Sequence, residues 1–215
     1  MTEREFTPAL GRFAPTRFYD LVASVTRERL WRGLVVGHVA ARADEVVVDV
    51  GCGTGSLALL LHQHRTGARI VGVDPDRDMV ERARRKGAGA PVEWRVGMGD
   101  SLAEILGAAS ADVVVSSLVL HQCPMAMKRA ILAAMAAVLR PGGRLVVADY
   151  GLQRTRAMRL AFRLVQMADG KPDTQPNADG ALPGLIAEAG FHDVREAEVV
   201  PTVTGSISIY TARRG

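Results

Sequence analysis

Cysteine is nearly missing from this chain: Cys52 and Cys123 are the only two in 215 residues. That is too few for a secreted disulfide scaffold, and the pair forms no CxxC motif. Lysine is scarce as well, confined to Lys86, Lys128 and Lys171, so the positive charge is mostly arginine. Long apolar runs are absent. The longest uncharged stretch, Val113 to Met127, is too short to span a bilayer and carries His121, Gln122 and Pro124. The N-terminal Met1-Thr2-Glu3-Arg4-Glu5 lacks an apolar signal core, so a cytoplasmic protein without a membrane span is expected. No block of one charge sign exists either. The balance of 27 basic against 23 acidic residues gives +4, and the two signs are interspersed, which argues against a nucleic-acid-binding arm. One basic stretch, Arg154, Arg156, Arg159 and Arg163, lies at a predicted helix and reads as a solvated face.

What is present describes an ordinary globule: 48% hydrophobic and 23% charged residues over 23.0 kDa, enough for one domain with a sizeable core. Val46 to Val50 is a β-branched run ended by glycines and reads as a strand buried on both faces. Strands over Arg69–Val73, Val92–Val96, Asp112–Ser116 and Arg144–Asp149 follow. They alternate with helices over Ser56–His64, Asp76–Lys86, Ser101–Leu106 and Met125–Leu139. Five repeats of strand then helix predict a parallel sheet with helices on both faces. The end of the chain predicts a helix over Leu182–Ala189, then an antiparallel hairpin from Asp193–Val200 and Val203–Thr211. Two parts stand outside this rhythm. Residues 1–45, largely helical from Thr16 to Ala41, read as an N-terminal cap on a domain of 46–215. Residues 151–179 read as an insertion, helical over Arg156–Ala168 and then plain loop from Asp169 to Asn177. Together they predict one compact unit.

Chemistry concentrates at the turn after the first strand, Asp49-Val50-Gly51-Cys52-Gly53-Thr54-Gly55. Glycines there let backbone approach a ligand, and the amides of the following helix face the same spot. Asp74 ends the second strand, where an acid accepts hydrogen bonds from both ribose hydroxyls. The two features predict a nucleoside at the strand C-termini. A dinucleotide fingerprint would place a third glycine where Ser56 stands; this chain has GxGxG with an acid two residues before it.

That arrangement, with the terminal hairpin, resembles the class I S-adenosylmethionine-dependent methyltransferases from about Val46 to Arg213. The resemblance implies a Rossmann-like α/β fold, doubly wound, with a mostly parallel seven-stranded sheet. It implies S-adenosylmethionine as cofactor, held at its methionine end by Asp49 and the backbone of Gly51, Gly53 and Gly55. Asp74 with Pro75 would meet the ribose, Met79 the adenine face, and Gly99-Asp100-Ser101 the adenine amino group through Asp100. Ser116 and Ser117 would touch the cofactor amino group, and Tyr19 would close over it. Leu118-Val119-Leu120-His121 and Phe6-Thr7-Pro8-Ala9-Leu10 resemble small-molecule enzymes near the ubiquinone and menaquinone pathways. Ser116-Ser117-Leu118-Val119 stands where nucleic-acid amino-methylating enzymes carry Asn/Asp-Pro-Pro-aromatic, so the expected partner is a small methyl acceptor.

Plainer readings exist beside these. Met79 and Tyr19 suit core packing as well as cofactor cover. His121 is the one histidine at the ligand edge of the sheet, so it is the candidate general base, with an unperturbed pKa of about 6.5; a structural or cofactor-contacting histidine reads as well. Cys52, Cys123 and His121 lack a fourth partner for a metal, and no metal is expected. The same fold also supports a nicotinamide-dependent oxidoreductase or a non-catalytic cofactor-binding regulator. The acceptor is not legible, and a homo-oligomer is as compatible with the sequence as a monomer.

Overall fold

A computed structural model describes residues 27–64 and 67–215. The chain runs α1 (Glu28–Val39), β1 (Val46–Val50), α2 (Ser56–His64), β2 (Arg69–Asp74), α3 (Arg77–Lys86), β3 (Val92–Val96), α4 (Leu102–Leu106) and β4 (Ala111–Ser117). A 3₁₀ turn over Leu120–Gln122 leads to α5 (Met125–Val138) and β5 (Leu139–Tyr150). Then come α6 (Arg156–Asp169), α7 (Lys171–Ala178), α8 (Leu182–Glu188), β6 (Phe191–Thr202) and β7 (Gly205–Arg214).

The seven strands form one sheet in the order β3-β2-β1-β4-β5-β7-β6. Strands β1 to β5 are parallel, and β7 runs antiparallel to both β5 and β6. The chain winds outward from β1 to β3, then restarts at β4 on the other side of β1. This order reversal opens a crevice at the C-terminal ends of β1 and β4, where such sheets bind ligands. Alternation along the strands sorts the core into two layers. Val47 packs with Trp31, Val35, Leu57 and Leu61 on one face, while Val48 and Val50 pack with Leu102, Leu132 and Leu185 on the other. The described part of the predicted cap is therefore a core helix, α1, with Trp31, Val35 and Val39 buried.

Three boundaries differ from the sequence reading. Residues 171–178 form a helix where turn-forming residues predict a loop. Pro172 is tolerated because it sits in the first turn, where its missing amide has no partner to lose. Pro176 lies inside the helix, and tertiary bonds offset its cost: Asn177 Nδ2 donates to Tyr150 O at 3.0 Å and Lys128 Nζ to Asp173 O at 2.9 Å. Strand β5 begins at Leu139, earlier than expected, because the Pro141-Gly142-Gly143 turn is a bulge within the strand; Leu139 pairs with Ala111 and Arg144 with Val113. Strand β6 spans Phe191–Thr202, and β7 begins at Gly205 rather than Val203, with Val203 and Thr204 forming the turn.

Candidate active site

After Val50 the backbone turns through three glycines with left-handed dihedrals, Gly51 (φ 73°), Gly53 (φ 52°) and Gly55 (φ 76°). An added Cβ at Gly51 would run into the Val119 side chain, and one at Gly55 into the Trp94 ring. At Gly53 nothing lies within 4 Å, so the turn is packed on its flanks and open in the middle. The loop is also tied to β2. Val73 O accepts from Gly51 N at 2.8 Å and Cys52 N at 3.1 Å, and Asp74 Oδ2 accepts from Gly53 N at 2.8 Å.

Asp74 thus helps shape the loop as well as facing the crevice; its Oδ1 accepts from Asp76 N at 2.9 Å. Burial raises its carboxyl above the usual range, opposed by those two amides, and each oxygen keeps a lone pair for a hydroxyl donor. Asp49 is more exposed to the consequences of burial. It is fully buried, and neither oxygen has a hydrogen-bond partner among the described residues. Burial pushes its carboxyl up to about 7; the Arg32 charge and the Ala58 amide that faces it offset only part of this, and Asp74 adds to it. A buried carboxylate left so poorly satisfied is stabilised by a cationic or donor group brought in by a ligand. The open glycine turn and this carboxylate fit the methionine end of S-adenosylmethionine, which carries an ammonium and a sulfonium.

The remaining sequence-derived positions lie at or just after the ends of β2, β3 and β4. Half-buried Met79 lies in the first turn of α3, after Pro75 and the cap residue Asp76, whose carboxylate accepts from Asp78 N and Met79 N. Gly99, Asp100 and Ser101 form the half-buried turn after β3, and Ser101 Oγ donates to Asp100 Oδ1 at 3.2 Å. Gly99 abuts the glycine loop's strand, since a Cβ there would sit 3.2 Å from Val50 Cγ1. Ser116 is buried with its hydroxyl donated to Val50 O at 2.8 Å, so it ties β4 to β1. Ser117 is the half-buried end of β4. Tyr19 and the Phe6–Leu10 segment lie outside the described residues.

His121 does not present a free imidazole. Its Nδ1 lies 2.7 Å from Asp149 Oδ1, its Nε2 3.4 Å from Asp169 Oδ2, and its ring packs edge-on to Tyr150 at 5.0 Å. Burial opposes the charged form, but the two carboxylates override it and raise the ring's pKa to about 9. The neutral ring expected from an unperturbed histidine is therefore replaced by an imidazolium at pH 7. Asp149 anchors the whole turn, because its Oδ2 accepts from Val119, Leu120 and His121 amides at 3.1, 2.7 and 3.3 Å. Lys128, also fully buried, donates to Leu120 O and to Asp173 O, joining this turn to α7.

Sequence reading passed over Asp149, Asp169 and Lys128. A signal for Lys128 was present: it shares the α5 stripe of Ile131, Leu132 and Met135, where a lone lysine in an apolar face needs a buried partner. The two cysteines do not meet in a ligand set. Cys52 Sγ faces Gly53 O and Cys123 Sγ faces Val119 O, and among the described residues no group of three His, Cys, Asp or Glu side chains is arranged to hold a metal ion.

Comparison with known proteins identifies the family. A family model described as a methyltransferase domain matches residues 47–143. Demethylmenaquinone methyltransferase of Thermus thermophilus is 32% identical over 149 residues, covering 68% of this chain and 67% of that protein. The chain belongs to the class I S-adenosylmethionine-dependent methyltransferases. The S-adenosyl-L-methionine-dependent Diels-Alderase of Talaromyces variabilis is 27% identical over 95% of this chain and 72% of its own. The solved magnesium protoporphyrin IX methyltransferase of Synechocystis, with S-adenosylhomocysteine bound, shares the fold at TM-score 0.68 and 20% identity, over 95% of this chain and 90% of its own. Against other curated relatives the chain spans only 57% and 38% of their length.

Proposed function

We propose that this chain transfers a methyl group from S-adenosylmethionine to a small-molecule acceptor by in-line displacement. The observation that carries the reading is Asp49, a buried carboxylate without a hydrogen-bond partner among the described residues, set beneath an open left-handed glycine turn. When bound, the cofactor supplies an activated methyl on sulfur, so the protein's task is orientation and exclusion of water. Asp49 and the Gly51–Gly55 backbone hold the methionine end, Asp74 with Pro75 the ribose, Met79 the adenine face, and Gly99-Asp100-Ser101 the adenine amino group. Ser116 and Ser117 position the strand end beside them. For His121 we propose positioning at neutral pH: both ring nitrogens face carboxylates, so no lone pair remains to take an acceptor's proton. A small acceptor agrees with the Thermus relative, whose name gives demethylmenaquinone. Nucleic acid is disfavoured by Ser116-Ser117-Leu118-Val119 at the end of β4. No helix among the described residues is long and apolar enough to cross a membrane, and a cytoplasmic location is part of the same proposal.

The Talaromyces relative favours one second reading, in which the cofactor is held while another reaction proceeds and no methyl leaves. The test is calorimetry of S-adenosylmethionine binding to wild type and Asp74→Asn, joined to an acceptor panel of phenols, amines, thiols and quinols. Removing the charged acceptor for ribose hydroxyls costs about 1.5–3 kcal/mol, so affinity should fall at least about tenfold in a folded variant. Unchanged affinity overturns the cofactor assignment. Cofactor binding without release of S-adenosylhomocysteine on any acceptor favours the second reading.

A further inference from the structure

Helix α6 carries two apolar stripes, and the fold uses only one. Phe162 and Val165 are buried in the core layer that holds Ile207 and Ile209, with half-buried Met158 on the same side. At roughly 100° per residue, Leu160, Leu164 and Met167 fall within about 60° of one another on the opposite side. They are 63%, 56% and 75% exposed. Arg156 and Arg163 lie along one flank of this outer stripe. Neither forms an ion pair among the described residues, whereas Arg154 is spent on Glu196 and Arg159 on Gln153 O. Exposed Lys171 follows at the start of α7. The helix's one acid, Asp169, points the other way, toward His121.

Among the described residues the outer face is thus apolar along its centre, cationic along its edge and without a carboxylate. We infer that α6 docks the protein on a bilayer surface bearing anionic headgroups. Leu160, Leu164 and Met167 enter the acyl boundary while Arg156 and Arg163 meet the phosphates. A basic helix with a strong apolar face lies in the interfacial plane in this way, and each cation adds attraction to anionic lipid. An antiparallel second copy of this chain fits less well, because that face-to-face pairing brings Arg156 and Arg163 of both copies to the same edge. The surface is independent of the methyl-transfer reading, since none of these side chains belongs to the crevice.

Co-sedimentation of the full chain with vesicles tests it, using equal parts phosphatidylglycerol and phosphatidylcholine against phosphatidylcholine alone. Binding to the anionic vesicles should exceed binding to the neutral ones by about tenfold and weaken with added salt. Leu160→Gln/Leu164→Gln/Met167→Gln should lose about tenfold or more, and Arg156→Gln/Arg163→Gln should lose the preference for anionic lipid, both with unchanged circular dichroism. In a Met167→Trp variant, brominated acyl chains should quench the new indole. Absence of vesicle binding, equal binding by the triple glutamine variant, or no quenching would overturn the proposal. So would a wild-type dimer that the triple variant disperses without any lipid binding; that result assigns the face to a second copy.

Discussion

Replacing His121 with asparagine should change how stability depends on pH, and the sign follows from the two carboxylates around the ring. The side-chain amide of His121→Asn keeps a donor for Asp149 but does not titrate. In the folded protein the ring's pKa is raised from 6.5 to about 9, so between those values the native state binds a proton that the unfolded chain has released. Stability from this source is fully present below about pH 6.5 and is lost as pH rises through about 9. At 1.36 kcal/mol per unit it is on the order of 3 kcal/mol, a sizeable share of the 5–15 kcal/mol of a typical domain. Urea unfolding followed by circular dichroism from pH 6 to 10 measures it as the difference between wild type and variant. Lys128 and Cys123, whose pKa values burial also shifts, are present in both proteins and largely cancel in that difference. At saturating cofactor, whose positive charge favours the Asp49 carboxylate, methyl transfer should be nearly flat from pH 6 to 8, and the variant should keep more than about a tenth of it. A difference curve that stays level between pH 6 and 10, with turnover rising through pH 6.5, would refute the charged triad. It would return His121 to the role of a general base.

Two further outcomes follow from the glycine turn and the thiols. Gly55→Ala drives a Cβ into the Trp94 ring and should cost about 2–4 kcal/mol by urea unfolding, whereas Gly53→Ala meets open space and should cost about 1–2 kcal/mol of left-handed strain. Equal costs at the two positions would contradict the packing of the loop. Burial raises the Cys52 thiol and pushes Cys123 up to about 11, so neither should react with iodoacetamide at pH 7 in the native protein, and both should react in urea. Rapid native labelling at Cys52 would show that the β1 turn opens.

The local signals in this chain were sufficient for its frame. Val46 to Val50 is uniformly β-branched apart from Asp49, so its strand is specified within five residues, and the glycine spacing that follows requires backbone that only glycine adopts cheaply. The alternation of such runs with helical periods led to the doubly wound sheet, and the close spacing of the last two strands led to the hairpin. What the neighbours of a side chain do to it was decided only by the tertiary structure. Residues 171–178 carry two prolines and polar turn formers, yet they are helical because Lys128 and Tyr150, far away in sequence, hold their Asp173 and Asn177. Asp74 reads as a ligand residue from its position, but its bond to Gly53 appears only once β2 and the glycine loop are side by side. His121 shows the limit most clearly. Its place at the end of β4 is a local matter, while its charge depends on Asp149 and Asp169, brought to either side of the ring by β5 and α6. A histidine's protonation is set by the dielectric and the charges within a few ångströms, and those come from chain segments that sequence distance keeps apart.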